Sequence, residues 1–450
     1  MKTLLTNINH VETMDDNKKI IKNGYILIEN GIITEVGHEN PPVCDNIFDM
    51  SNYVVLPGFV NTHHHLYQSL FRNVKEVTSS ELFDWLIYLY EKWKYIDNEA
   101  VYNSALVGLY EMMSTGVTTS TDMLYLHPRG MNNFIDSEIE AAKRTGIRFH
   151  PTRGFMTLSK KDGGLPPDSV VQTMDEIVDD IDRLMKKYHN PERNSMLRIA
   201  LAPCSPFSVT KESMIETVEL SKKYDVLLHT HLAETRDEDK FCLQTFGKKP
   251  VDYMEELGWL NDKVWFAHLV WLSERDIDKL KEHDCGMAHC PLSNMRLGSG
   301  IAPVKEVYEK NIRIGIAVDG SASNDSGNFV QEIRTAMMLQ RVKNGASALT
   351  PRDALYMATM GGARVLKMDD YIGSIEIGKS ADIIGFKMDK LGFAGGLSDP
   401  ASAILMCDAG KVDFSMINGK IRIKDSEILE EDIHEIIHNQ NKISERLLNI

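Results

Sequence analysis

The sequence predicts a (β/α)8 TIM barrel carrying a small β-sandwich domain built from both termini. Three observations lead there. Eight β-rich or apolar segments alternate with helix-period segments through the middle of the chain. Hairpin signals stand at both ends. Histidines and an aspartate recur toward the C-terminal ends of five of the eight segments, where a barrel gathers its active site.

The elements follow in order. GYILIENGIITEVG (24–37) holds two β-rich runs around Asn30-Gly31, a dipeptide suited to a two-residue hairpin turn. Near the other end, SADIIGFKMD (380–389) and DFSMINGKIRIKD (413–425) repeat the pattern, with Asn418-Gly419 as the turn. These ends are expected to pair as one domain, residues 1–57 with 372–425. Residues 58–371 are expected to form the barrel, and 426–450 a polar helical tail. The barrel strand candidates are 54–65, 116–123, 146–154, 197–206, 225–234, 264–270, 286–294 and 313–321. SEIEAAKRT (137–145) and PVKEVYEKN (303–311) exemplify the helices between them. An open eight-unit sheet is the alternative topology. LFDWLIYLYEKW (82–93) lies in the long connection after the first strand. It lacks a basic face, which favours packing over a membrane surface, and Trp85 is placed to help close a pocket.

Bulk properties exclude several classes. With 50 basic and 65 acidic residues, the net charge of −15 argues against a grip on nucleic-acid phosphates. It leaves a small heteroaromatic molecule open as substrate. Hydrophobic content of 43% and charged content of 26% suit a globular chain, and no run of about 18 apolar residues is present to span a membrane. Six cysteines without a C-x-x-C pair point to reduced thiols, and the apolar start is too short for a signal peptide, so a cytoplasmic protein is expected.

PGFVNTHHHLYQ (57–68) carries three adjacent histidines. Side chains alternate along a strand, so His63 and His65 point one way and His64 the other. Two imidazoles do not make a site; a catalytic divalent site takes about three protein ligands and an open position. His229 and His231 offer a further imidazole, and His231 is nearer the strand end. Asp319 stands at the eighth strand tip and Glu234 lies three residues after His231. A metal lowers the pKa of water to about 7, and a neighbouring carboxyl group can carry the proton.

PGFVNTHHHLYQS, HTHLAE, AHCPLSNMRL and VDGSASND resemble the amidohydrolase superfamily, in its branch of nucleobase, pterin, adenosyl-compound and triazine deaminases and chlorohydrolases. GSIEIGKSADIIGF (373–386) is similar to that family's β-sandwich segment. Within the branch, HHHLYQSLFR, LAPCSPFSV and CPLSNMRLGSGIAP most resemble the 8-oxoguanine deaminases. The resemblance implies His63, His65, His231 and Asp319 as ligands of one divalent metal, Zn²⁺ or Fe²⁺. It implies Glu234 as the acid/base, with His268 and Asp319 handling the proton of the attacking water. Gln68, Arg153, His289 and Trp85 are implied around the substrate. Superfamily members with two metals bridge them through a lysine on strand four; Cys204 stands there, which favours one metal and deamination. The implied reaction converts 8-oxoguanine to urate and ammonia, with a pterin, another purine or a hydroxylated triazine as alternative rings, and a homodimer as the implied assembly. The reading from a different class is a non-catalytic scaffold; the full set of expected ligands speaks against it.

Two motif matches are set aside. GSIEIGKS (373–380) fits a phosphate-binding loop, but a β-rich run follows where a helix is required. HEIIH (434–438) fits a zinc-protease helix, but 12 residues remain after it, too few for a cleft.

Overall fold

The eight alternating segments fold as parallel strands: β1 (Phe59–Asn61), β2 (Val117–Leu124), β3 (Arg148–Phe155), β4 (Ala200–Pro203), β5 (Leu228–Leu232), β6 (Val264–His268), β7 (Gly286–His289) and β8 (Arg313–Ile316). The structure is a computed structural model and describes residues 2–408 and 410–450. Each strand pairs with its sequence neighbour. The Thr62 amide donates to Ile316 O at 3.2 Å and the Asp319 amide to His63 O at 3.3 Å, drawing β8 against β1 and closing the barrel. Nearly every strand residue is buried, the pattern of a parallel sheet covered on both faces.

The first expected strand, 54–65, is two. Tyr53–Pro57 pairs antiparallel with Ile383–Lys387 in the terminal sheet, and the barrel begins at Phe59. Gly58 makes the passage: a Cβ there would lie 2.0 Å from Thr118 Oγ1, so a larger residue would displace β2.

The termini form a separate nine-strand sheet, ordered 427–428, 420–424, 414–417, 383–387, 53–57, 2–12, 20–29 and 32–37, with 46–49 alongside 2–12. Its own core joins Leu5, Ile8, Ile26 and Val55 with Ile383, Phe414 and Met416. Asn30-Gly31 and Asn418-Gly419 both take left-handed φ (50° and 85°; 48° and 74°), as a mirror-type hairpin turn requires. The two turns abut, since a Cβ on Gly31 would sit 2.8 Å from Asn418 O.

Arg148 joins sheet and barrel. It is fully buried at the start of β3 and reaches Asp382 Oδ2 at 3.0 Å, Ser380 Oγ at 3.0 Å and Ser195 O at 2.6 Å.

The C-terminal helix, Ile433–Leu448, is more than a solvated tail. Ile436, Gln440, Ile443 and Leu447 form a buried stripe at helical spacing. Gln440 Nε2 donates to Ser69 Oγ at 3.0 Å and Ser444 Oγ to Leu70 O at 2.6 Å, so the helix braces the segment that follows the histidine run. His434 and His438 face solvent. In GSIEIGKS, Lys379 Nζ is spent on Asp369 O at 2.6 Å, and no helix follows. Among the described residues, no helix is long and apolar enough to cross a membrane.

Candidate active site

Four donor atoms converge at the barrel mouth. The ligating atoms of His63, His65, His231 and Asp319 lie within 4.8 Å of one another, and all four residues are buried. His65 Nε2 stands 3.0 Å from His231 Nε2, while Asp319 Oδ1 is 3.3 Å from His63 Nε2 and 3.4 Å from His65 Nε2. His64 points away from the cluster, with Nδ1 4.0 Å from Asp122.

The ring protons can be placed. His65 Nδ1 is 2.8 Å from Met123 O, and His231 Nδ1 is 2.5 Å from Cys204 O. A carbonyl only accepts, so both Nδ1 atoms carry hydrogen. Burial holds the pKa values of His63, His65 and His231 below the ordinary range, so their rings are neutral and their Nε2 atoms are lone pairs. Two lone pairs at 3.0 Å repel unless a cation lies between them, and burial disfavours a proton in that role. His63 Nε2 is likewise buried without a partner. Three imidazoles and a carboxylate so arranged fit a divalent metal.

Around this cluster stand the acid/base candidates. Glu234 follows β5; burial pushes its carboxyl pKa up, against the pull of His268. His268, the last residue of β6, lies 3.5 Å from Glu234 Oε2 and 3.9 Å from Asp319 Oδ2. Burial opposes its charge, but the Glu234 and Asp319 carboxylates outweigh burial and raise its pKa. Burial likewise opposes ionisation of Asp319, yet its carboxyl is held well below the carboxylate range, with the charge of His268 favouring the ionised form.

A small cavity opens beside these groups. His65, His231, Glu234, His268 and Asp319 line its polar end; Leu82, Trp85, Leu86, Phe207 and Leu297 supply an apolar wall. Most of that wall comes from the Leu82–Trp93 helix, and Trp85 ties it to the loop after β8 through Nε1 to Ala322 O at 3.1 Å. Gln68 lines the cavity with its Oε1 unpartnered. Cys204 is also in the wall; burial pushes its thiol up to about 12, so it stays neutral.

Two expected substrate contacts fall elsewhere. Arg153 is not in the cavity wall: it is buried and occupied by Asp180 (2.6 Å), Gln172 (2.9 Å) and His127 (2.9 Å). A guanidinium two residues from a strand end is long enough to fold back onto a half-buried carboxylate, and Asp180 supplies one. His289 ends β7 outside the cavity wall, both ring nitrogens unpartnered.

Several positioning groups were not singled out from the sequence. Asn294 Oδ1 holds His268 Nδ1 at 2.9 Å. Ser293 Oγ, Ser323 Oγ (3.2 Å) and the Gly320 amide (2.7 Å) donate to the Asp319 carboxylate. Glu238 accepts from the Ala233 and Glu234 amides at 2.9 Å each, fixing the turn that presents Glu234. The signal for Glu238 was legible: Thr235-x-x-Glu238 has capping-box spacing, and Thr235 does cap the helix that begins at Arg236. Cys290 approaches His63, His268 and Asp319, but its thiol donates to Ala288 O and burial holds it protonated.

With this geometry the comparisons are decisive. The amidohydrolase family matches residues 54–422. The chain belongs to the amidohydrolase family. It is 43% identical to 8-oxoguanine deaminase of Pseudomonas aeruginosa over 428 residues, 94% of this chain and 95% of that one. It is 32% identical to isoxanthopterin deaminase from an unknown prokaryotic organism, over 90% of this chain and 92% of that one. Among solved structures it is similar to atrazine chlorohydrolase from Arthrobacter aurescens TC1 complexed with zinc, with a TM-score of 0.93, 30% identity and coverage of 98% and 100%. As an amidohydrolase the chain is a hydrolase.

Proposed function

We propose that this amidohydrolase is a hydrolytic deaminase of an amino-substituted heteroaromatic ring, 8-oxoguanine first among them, yielding urate and ammonia. The observation that carries the catalytic part is the 3.0 Å approach of two imidazole lone pairs beside Asp319, with Glu234 and His268 at the same cavity end. The 43% identity to an 8-oxoguanine deaminase supports the ring.

His63, His65, His231 and Asp319 would hold one metal, with zinc favoured by the zinc complex of the similar chlorohydrolase. A divalent cation so held supplies a Lewis acid that makes water a nucleophile near neutral pH. The protein's own groups do the rest. Glu234, its pKa raised by burial, donates a proton to the ring nitrogen next to the carbon under attack. His268 and Asp319 flank the water and receive its proton. That proton passes to the exocyclic amine, which leaves as ammonia, and the hydroxyl proton of the collapsing intermediate returns to Glu234. The apolar wall around Trp85 packs a flat ring and excludes bulk water, and Gln68 Oε1 offers an acceptor to a ring N–H.

The test is ammonia release by the zinc-loaded protein with 8-oxoguanine, guanine, isoxanthopterin and hydroxyatrazine side by side. Preference for 8-oxoguanine is expected. Turnover of another ring alone would overturn the substrate and keep the chemistry. Silence across the panel with metal bound would overturn the deaminase reading.

A further inference from the structure

His65 and His231 are oriented by main-chain carbonyls. His63 is not: its Nδ1 meets a side chain, His229 Nε2, at 2.7 Å. We propose that His229 is a positioning residue that sets which nitrogen of His63 carries the proton, and thereby sets the metal affinity of the site. The inference rests on the metal centre proposed above.

The hydrogen bonds permit one arrangement. His229 Nδ1 lies 2.8 Å from Trp265 O, so it must donate. With Nδ1 given to that carbonyl, the neutral ring of the buried His229 presents Nε2 to His63 as a lone pair. A lone pair facing His63 Nδ1 requires the hydrogen on that Nδ1. His63 Nε2 is then bare and turned toward Asp319 Oδ1 at 3.3 Å, as a metal ligand must be.

His229 is itself held. Its ring stacks on the Trp265 indole at 4.3 Å and 11°. Trp265 Nε1 donates to Thr62 O at 3.0 Å, the residue before His63. The circuit runs Thr62–His63, His229, Trp265 and back to Thr62, tying β5 and β6 to the segment after β1. This also resolves the pair on β5. His231 and His229 share a face of the strand, but β5 places His229 deeper, where it reaches the far nitrogen of a ligand.

The test compares His229→Gln, which keeps an acceptor near the Nε2 position, with His229→Leu, which removes it at similar bulk. Zinc affinity is measured by competition with a chromophoric chelator, and histidine tautomers by ¹⁵N NMR of the metal-free chain. Loss of an orienting partner costs roughly 10–100-fold in metal affinity, the fall expected for His229→Leu. His229→Gln should stay nearer the parent than the leucine variant, and His63 should keep hydrogen on Nδ1 in the parent and the Gln variant but not in His229→Leu. Parental affinity in the leucine variant would overturn the proposal, as would equal losses in both. If His229→Leu fails to fold, the Gln variant decides: parental affinity and tautomer support the role, a hundredfold loss overturns it. Neither readout uses a substrate, so failure of the proposed reaction would leave this result separately readable.

Discussion

Two buried polar clusters in this chain contrast. At the base of the barrel, Arg148 is fully buried and answered by Asp382, Ser380 Oγ and the carbonyls of Asn194 and Ser195. At the mouth, His63, His65 and His231 are also buried, yet each leaves a bare Nε2 crowded against the others and Asp319. The first cluster is saturated and joins two sheets. The second is complete on its outer side and open on its inner side. Burial with all partners present fixes structure; burial with lone pairs left to converge prepares a site for a ligand.

Substitutions can break that contrast from either side. The largest effect is expected from Glu234→Gln, which should lower kcat by roughly 10²–10⁴-fold while metal content by elemental analysis stays near that of the parent. A near-parental rate would remove Glu234 from its assigned role. His65→Ala should abolish tight metal binding, with the chain still folded by circular dichroism. At the base, Arg148→Met leaves Asp382 buried without its cation, a loss of about 3–5 kcal/mol read as a lower denaturation midpoint. The folded fraction of that variant should keep its metal stoichiometry; parallel loss of metal would mean the two clusters are not independent. Gly320→Ala tests the cavity itself, because the new Cβ would lie 1.9 Å from Gln68 Oε1. Displacing Gln68 should cost roughly tenfold to a hundredfold in kcat/KM with metal retained. His64→Ala should do least to metal binding, since His64 turns away from the cluster toward Asp122.

Much of this was legible beforehand because it depends on local periodicity. Strand parity separates His63 and His65 from His64 without any knowledge of neighbours. The Asn-Gly turns fixed both terminal hairpins for the same reason: left-handed φ is a local requirement. The reading lost precision where a long side chain chose among distant partners. Arg153 had a plausible position near a strand end, but Asp180, on the following helix, captured its guanidinium. The 54–65 run read as one strand because its apolar pattern is continuous; the close passage of Gly58 by Thr118 divides it between two sheets.

The sequence by itself determined the alternating barrel and the pairing of the two ends, since each follows from spacing along the chain; spacing named the strand-end histidines and acids as candidates, and the choice among them came from the family resemblance. Only the tertiary structure decided which polar group answers which. It placed His229 behind His63, Asn294 behind His268, and the terminal helix against the segment after β1. Those choices depend on distances between residues tens to hundreds of positions apart, and on the need to satisfy every buried donor, and neither is written in any local run of the sequence.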